Sequence, residues 1–165
     1  MKILIAYAGK TGGTASMCQL LAESLPSHTV VLTDLTKEAP DLQGVDFVVL
    51  GGAVRMGKLM KPARQFIKER EEVLSRLPHA LFLCCAFHEQ FENYVERVFP
   101  ASLWQSAERT VYFGGELNVS AQKGIDKLLV RMMRSSIRDS EDADAALPGL
   151  LPEHVRLLAE YLRTR

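Results

Sequence analysis

The sequence contains few cysteines, and their arrangement excludes whole classes of protein. Only three of the 165 residues are cysteines, namely Cys18, Cys84 and Cys85. An odd number with two adjacent members is not the paired framework of a disulfide-rich secreted domain, and no Cys-x-x-Cys spacing offers a zinc site. We therefore expect three reduced, buried thiols and no metal site.

A charge excess of one sign and long apolar runs are also missing. Twenty lysines and arginines balance twenty acidic residues, so the formal net charge is zero. A chain without excess positive charge has no overall attraction to nucleic acid, and we predict no nucleic-acid partner. No apolar run approaches the roughly 20 residues of a membrane-spanning helix, and the short apolar start at residues 1–6 is typical of a first strand rather than a signal peptide. We predict one cytoplasmic domain over residues 1–165.

The apolar residues that are present form two kinds of segment. Continuous runs predict five strands that are buried on both faces, at residues 2–7, 29–34, 47–51, 80–86 and 110–115. Helical spacing predicts helices over residues 14–25, 63–77, 91–99 and 153–163. Residues 35–46 contain Pro40 and Gly44 and predict a loop or a very short helix. The alternation predicts an α/β fold, a doubly wound three-layer αβα sandwich with a five-stranded parallel sheet.

A glycine-rich stretch lies between the first strand and the first helix. It reads Gly9-Lys10-Thr11-Gly12-Gly13-Thr14. The unpaired N–H groups and the positive dipole end of a helix N-terminus attract phosphate, and glycines let the backbone close around an anion. Thr11 and Thr14 add hydroxyl groups, and Lys10 adds positive charge. The spacing matches neither a Walker A loop nor Gly-x-Gly-x-x-Gly, and an ordinary tight turn is the alternative.

Two further segments follow the third and fourth strands. In an open parallel sheet, ligands bind outside the carboxyl ends of the strands, where the winding direction reverses. The first segment reads Gly51-Gly52-Ala53-Val54-Arg55-Met56-Gly57, and the second reads Cys85-Ala86-Phe87-His88-Glu89-Gln90. Small residues in the first let backbone approach a flat ligand, which Met56 and Phe87 would flank, plain packing being the alternative. His88 could titrate near neutral pH at this edge, or lie at the surface or cap a helix.

These three segments and the order of elements resemble the flavodoxin superfamily. There the first loop reads Ser/Thr-x-Thr-Gly-x-Thr and holds the FMN phosphate, a pattern that this chain matches everywhere except at Gly9. The resemblance implies the strand order 2-1-3-4-5 and FMN as the cofactor. Within it, the predicted FMN-binding residues are Lys10, Thr11, Gly12, Gly13, Thr14, Gly52, Ala53, Val54, Arg55, Met56, Gly57, Ala86, Phe87 and Glu89.

One branch of that superfamily is especially similar. The stretch Gly51–Gly57 is similar to the small-small-x-x-Arg-Tyr-Gly stretch of the flavodoxin-type protoporphyrinogen oxidases that use menaquinone, with Met56 in place of the aromatic ring. The stretch Gly114-Gly115-Glu116-Leu117-Asn118 also resembles that branch. The resemblance implies an FMN-dependent oxidoreductase that oxidises a protoporphyrinogen-like substrate and passes electrons to a quinone. Because the cofactor carries such chemistry, we predict no catalytic side chain.

Two other functions fit the same residues. The first is an electron-transfer module that exchanges electrons with a redox partner protein and has no substrate of its own. The second is a flavodoxin-fold interaction domain that has lost FMN, because Gly9 lacks a hydroxyl and Met56 lacks an aromatic ring. Fold alone does not decide between them.

A basic stripe is predicted on one face of a helix over residues 123–138. Its members are Lys123, Lys127, Arg131, Arg134 and Arg138, and apolar residues line another face. Such a helix can lie on an anionic membrane surface, which would suit peripheral contact of a cytoplasmic protein with the inner membrane face and a lipid-soluble quinone. The alternative is a solvated face on a helix that packs against the protein.

Overall fold

A computed structural model of the chain describes residues 1–115 and 149–165. The predicted basic helix at 123–138 and the residues Glu116, Leu117 and Asn118 lie outside the described residues. The described strands are β1 (Lys2–Ala8), β2 (Thr29–Asp34), β3 (Phe47–Arg55), β4 (Lys58–Leu59), β5 (His79–Cys84) and β6 (Arg109–Tyr112). The described helices are α1 (Gly13–Glu23), α2 (Lys61–Arg76), α3 (Phe91–Val98), α4 (Ala101–Trp104) and α5 (Pro152–Arg163).

Five of these strands form a parallel sheet in the order β2-β1-β3-β5-β6. This is the predicted order 2-1-3-4-5 once the two-residue strand β4, which the sequence did not predict, is set aside. β4 pairs antiparallel with the end of β3 and forms a hairpin with it. The winding direction reverses between β1 and β3, so the crevice where such folds bind ligands lies at the carboxyl ends of these two strands.

The central strands β1, β3 and β5 are buried, as the continuous apolar runs predict, whereas the edge strands β2 and β6, which were also predicted to be buried on both faces, are partly exposed. Alternate residues of β1 point to opposite sides, so Ile3 and Ile5 pack with α1 and α5, whereas Leu4 and Ala6 pack with α2 and α3. β1 is fully enclosed, with residues 3–6 at 0% exposure. The three-layer α/β architecture is therefore confirmed.

Prolines mark where several of the helices begin or end. Pro62 and Pro152 lie in the first turns of α2 and α5, where a missing N–H breaks no helical hydrogen bond. The predicted loop at residues 35–46 contains no helix, which confirms the first of its two alternatives. Beyond Pro100, which ends the third predicted helix as expected, a further short helix α4 forms.

A buried histidine lies at the amino ends of the strands, opposite the crevice. His79 begins β5 with 2% of its surface exposed. Its Nδ1 lies 2.8 Å from the Leu77 carbonyl oxygen and its Nε2 lies 2.9 Å from the Leu103 carbonyl oxygen. The imidazole thus ties α2 and α4 to the amino end of β5.

Among the described residues, no helix has both the length and the apolar character needed to cross a membrane.

Candidate functional site

The sheet register brings the three predicted segments to one edge. Ala8 at the end of β1 is paired with Gly52 of β3, and Gly52 is paired with Leu83 of β5. The glycine-rich loop therefore starts beside the last part of β3, and the segment beginning at Cys85 starts on its other side. The three segments therefore lie together at the carboxyl edge of the sheet, as the sequence predicts.

The glycine-rich loop ends in the N-terminus of α1. Gly12 occupies the position before the helix with φ = 92°, a left-handed conformation that glycine adopts without steric cost. Glycine has no side chain to cap the first-turn N–H groups, and no acidic residue lies in that turn. Lys10 is exposed beside it and Thr11 is half-buried. Uncapped amides, a positive dipole end and nearby positive charge fit a phosphate group.

The Thr14 side chain, in contrast, is turned into the protein. Only 5% of Thr14 is exposed. A Cβ placed on Gly9 would lie 2.8 Å from the Thr14 Cβ and 3.1 Å from its Oγ1, so the Thr14 side chain occupies the space that any side chain at position 9 would need. The glycine at position 9, which departs from the family pattern, thus has a packing cause.

The second predicted segment is a strand and hairpin rather than a loop. β3 continues to Arg55, four residues past its predicted end, because it pairs with β5 up to Ala53 and then with β4. Gly51 and Gly52 lie inside the strand and are buried. A Cβ on Gly52 would come within 2.4 Å of the Ala8 carbonyl oxygen, so this glycine allows close contact between neighbouring strands.

The hairpin tip is formed by Met56 and Gly57. Their φ values of 49° and 71° are both positive, as in a type I′ turn. Met56 is 83% exposed, while Arg97 of α3 donates from its Nη2 to the Gly57 carbonyl oxygen at 3.5 Å. The half-buried Val54 pairs with Leu59 across the hairpin. Arg55, also half-buried, lies beside the turn. The tip therefore exposes the apolar Met56 side chain, while the hydrogen bond from Arg97 holds the backbone of the turn.

The third segment, which begins at Cys85, is held in place by the buried Tyr112. Tyr112, at the end of β6, donates its hydroxyl to the Cys85 carbonyl oxygen at 2.8 Å, and the Cys85 thiol lies 3.7 Å from the Phe87 carbonyl oxygen. These bonds hold the backbone on which Ala86 and Phe87 are half-buried, while Glu89 is exposed in the 3₁₀ turn His88–Gln90. Glu89 thus lies in the turn that leads into α3.

Aromatic rings surround Tyr112. The His88 ring centroid lies 5.0 Å from that of Tyr112 and the Phe91 centroid lies 5.6 Å from it. His154 of α5 places its Nδ1 2.8 Å from the Tyr112 carbonyl oxygen. His88 is exposed and therefore forms part of the rim of this cluster. The C-terminal helix is connected to the site through these contacts.

A short returning segment closes the same edge. Leu150 forms an antiparallel bridge with Gly114, and Gly115 donates its N–H to the Gly149 carbonyl oxygen at 3.0 Å. A Cβ on Gly13 would lie 3.4 Å from the Leu150 side chain, so Leu150 packs against the start of α1. The glycine-rich loop is therefore supported by Thr14 from within and by Leu150 from the side.

The thiols and the phenol at this edge are held neutral. Burial raises the pKa of the Cys84 thiol to about 12, and burial raises the pKa of the Cys85 thiol to about 11. Burial likewise raises the pKa of Tyr112 to about 12 and that of the Cys18 thiol well above its usual range. The reactive form of a cysteine is the thiolate, so these groups do not offer a nucleophile at neutral pH.

The sequence patterns did not single out Thr14 as buried, nor Tyr112 or Leu150 as supports. The contacts of Tyr112 and Leu150 join residues far apart in the chain, which spacing does not reveal. The hairpin, in contrast, has a signal in the sequence. Met56-Gly57 lies between the apolar residues Val54 and Leu59, and a glycine in the second turn position is typical of a two-residue hairpin.

Comparison with known families follows this geometry. A family model described as a flavodoxin domain matches residues 4–144. A curated relative, protoporphyrinogen IX dehydrogenase [quinone] of Escherichia coli K12, is 23% identical over 144 residues, which cover 81% of this chain and 78% of the relative.

Solved structures share the fold. The flavodoxin of Streptococcus pneumoniae TIGR4 aligns with a TM-score of 0.55 at 15% identity and covers 99% of both chains. Rubredoxin oxygen:oxidoreductase of Desulfovibrio gigas aligns with a TM-score of 0.53 at 11% identity, covering 99% of this chain. This chain spans only 37% of that larger protein, and such identities establish the fold alone.

Proposed function

Because the chain belongs to the flavodoxin domain family, we propose that it binds FMN at the carboxyl edge of its sheet, with the phosphate at the N-terminus of α1. The observation that carries the proposal is the uncapped first turn after Gly12, which faces no acidic residue of its own turn and lies beside Lys10. In this proposal the amides of Gly13 and Thr14 and the hydroxyl of Thr11 hold the phosphate.

The isoalloxazine ring would lie between the hairpin and the third segment. Ala53 to Gly57 supply one wall, where the exposed Met56 can cover one ring face without the stacking an aromatic ring provides. Ala86 and Phe87 supply the other wall, held by the hydrogen bond from Tyr112 to the Cys85 carbonyl oxygen. Glu89 at the rim would disfavour negative charge on the reduced ring.

The proposed activity is an FMN-dependent oxidoreductase. FMN, when bound, supplies two-electron redox chemistry, and the chain's own residues bind it, orient it and set its surroundings. The neutral thiols of Cys84 and Cys85 and the neutral Tyr112 leave the ring's environment without competing nucleophiles. The name of the Escherichia coli relative supports a protoporphyrinogen-like donor and a quinone acceptor as the finer proposal.

A flavin-free interaction domain is the second candidate, and one observation favours it. Gly9 has no hydroxyl and Thr14 is only 5% exposed, so the loop presents fewer accessible hydroxyl groups than the family's pattern. This candidate predicts a protein that folds normally and binds neither FMN nor riboflavin.

The test is to purify the protein, add FMN at micromolar concentration and follow flavin fluorescence and visible absorbance. The FMN proposal expects saturable binding with a bound-flavin spectrum, and a protein that stays colourless would contradict it. The finer proposal is checked separately by anaerobic mixing of the loaded protein with protoporphyrinogen IX and a soluble menaquinone analogue. Flavin binding without turnover, together with reduction by a flavoprotein reductase, would favour an electron-transfer module instead.

A further inference from the structure

Acidic side chains are missing from one long segment of a chain whose overall charge is zero. Between Asp46 and Glu69 the sequence contains five cationic residues and no acidic one, the five being Arg55, Lys58, Lys61, Arg64 and Lys68. This segment comprises β3, β4 and the first half of α2, so positive charge is concentrated beside the carboxyl end of β3. Charge of one sign on one surface attracts a partner of the opposite sign.

The cations lie on neighbouring parts of the molecule. Lys61, Arg64 and Lys68 are exposed, and their spacing of three and four residues places them on one face of α2. Arg64 donates from its Nε to the carbonyl oxygen of Leu59, the last residue of β4, at 2.9 Å, so this face begins beside the hairpin. It extends for about 10 Å along the helix. The basic hairpin surface comprises Arg55, Met56, Lys58, Lys61, Arg64 and Lys68.

The three lysines of this surface are not neutralised within residues 1–115 and 149–165. The side chains of Lys58, Lys61 and Lys68 form no hydrogen bond or ion pair with any residue of those ranges. Glu92 and Glu96 of the neighbouring helix α3 are exposed and pair with none of them. The lysines therefore keep their attraction for an external anion.

Met56 at the tip is a second, independent observation. Its φ of 49° lies in the left-handed region that long side chains rarely adopt, and 83% of its surface is exposed. Asparagine, aspartate or glycine suits this turn position better and exposes less apolar surface. Arg97 adds a further cation at the tip through its hydrogen bond to the Gly57 carbonyl oxygen. The fold does not explain an apolar side chain here, whereas contact with a partner does.

We propose that the basic hairpin surface binds an anionic lipid bilayer, with Met56 entering the headgroup region and the cations contacting lipid phosphates. The tip of a hairpin and the outer face of a helix do not enclose a small ligand. The core of a protein interface is rich in aromatic side chains and poor in lysine, whereas this surface has one exposed large apolar side chain among five cations. An anionic bilayer requires only clustered positive charge and limited apolar insertion.

This contact goes beyond the proposed flavin chemistry and does not require bound flavin. It would bring the carboxyl edge of the sheet, where the flavin is proposed to bind, to the bilayer in which a lipid-soluble quinone dissolves. It also differs from the basic helix predicted at residues 123–138, which lies outside the described residues.

The test is cosedimentation of the full chain, without added flavin, with vesicles of phosphatidylcholine alone or mixed with phosphatidylglycerol. The double variant Lys58→Gln/Lys61→Gln removes two positive charges from the surface. Met56→Asn removes the apolar tip and supplies a residue that the turn favours. All three residues are exposed, and urea unfolding checks that each variant is folded.

The matched controls lie on α5, which packs on the opposite face of the sheet. It exposes the same kinds of side chain, namely Arg156, Leu157 and Arg163, but Glu153 and Glu160 lie among them. Arg156→Gln/Arg163→Gln changes the net charge as much as the double lysine variant does, and Leu157→Asn removes an apolar side chain that is 62% exposed.

The parent should bind vesicles that contain phosphatidylglycerol, should not bind those of phosphatidylcholine alone, and should bind more weakly as salt is raised. The double lysine variant should bind about 25-fold more weakly, at about five-fold for each cation near an anionic surface. Met56→Asn should weaken binding by about five-fold to ten-fold. The α5 variants should bind as the parent does.

Because residues 123–138 also carry cations, the deciding quantity is the difference between each variant and the parent. Unchanged binding in the double lysine variant or in Met56→Asn overturns the proposal, and so does an equal loss in the α5 variants. A parent that does not bind phosphatidylglycerol vesicles also overturns it and leaves an acidic protein as the occupant of this surface. Failure to bind FMN, in contrast, would refute the proposed function and leave the vesicle result standing.

Discussion

Replacing Gly9 by serine tests the site where the family pattern and the structure disagree. The pattern has a hydroxyl-bearing residue at this position, so sequence comparison alone expects Gly9→Ser to add a phosphate ligand and tighten FMN binding. The structure predicts the opposite, because the new Cβ would lie 2.8 Å from the Thr14 Cβ. The disagreement makes this substitution informative about the loop.

The size of the effect follows from the overlap. Carbon atoms in contact prefer a separation of about 3.5–4.0 Å, so the added Cβ and the Thr14 Cβ overlap by roughly 1 Å. Thr14 is buried, so the loop backbone must shift instead. Overpacking of this kind costs about 1–3 kcal/mol. If the shift spoils the phosphate-binding shape, FMN affinity falls by about five-fold to 150-fold.

The assay is a fluorescence titration with FMN on the parent, Gly9→Ala and Gly9→Ser. The alanine variant carries the steric effect alone, and the difference between alanine and serine isolates the hydroxyl. Gly149→Ala is the matched control, because a Cβ there meets nothing within 4 Å. Tighter FMN binding by Gly9→Ser than by the parent would refute the predicted steric conflict with Thr14. It would also show that a hydroxyl at position 9 binds the phosphate as the family's pattern implies.

Three further outcomes are expected. Gly52→Ala, whose Cβ would meet a β1 carbonyl oxygen at 2.4 Å, should lower the urea-measured free energy of unfolding by at least about 3 kcal/mol, while Gly149→Ala should change it by less than about 0.5 kcal/mol. His79→Ala should cost about 2–4 kcal/mol in the same assay, since it empties a buried position and removes the ring that contacts the Leu77 and Leu103 carbonyl oxygens; an unchanged midpoint would contradict this. Above about pH 9 stability should fall, because the unfolded chain releases the Cys84 proton there while the folded thiol, with its pKa raised to about 12, retains it. That group contributes up to about 1.4 kcal/mol per pH unit, and Cys84→Ser should reduce the slope measured by urea unfolding between pH 8 and pH 10.5.

The sheet could be predicted from the sequence because its central strands β1, β3 and β5 are buried on both faces and therefore form continuous apolar runs. Residues 29–34 match β2 at both ends, and the remaining strands were located with errors at their ends. β3 was ended at Gly51 because two successive glycines usually mark a loop. The structure keeps both glycines in the strand, because a Cβ on Gly51 or Gly52 would collide with the backbone of the neighbouring strand.

The candidate site could be predicted only as a set of segments. Strand order fixes which chain ends share an edge, so the meeting of the loop at Gly9, the end of β3 and the segment at Cys85 follows from topology. Side-chain direction does not follow from topology. Thr14 has the expected residue type and spacing, yet the structure buries it against Gly9, which its position in the sequence does not reveal.

The contacts of the C-terminal segment have a consequence for the order in which the site is assembled. Leu150 packs against Gly13, and His154 bonds the Tyr112 carbonyl oxygen, so the segment that follows residue 148 supports the start of α1 and the end of β6. During synthesis, all three segments of the candidate site leave the ribosome before these supports do. We therefore expect the candidate site to reach its final shape only after Leu150 and α5 have docked.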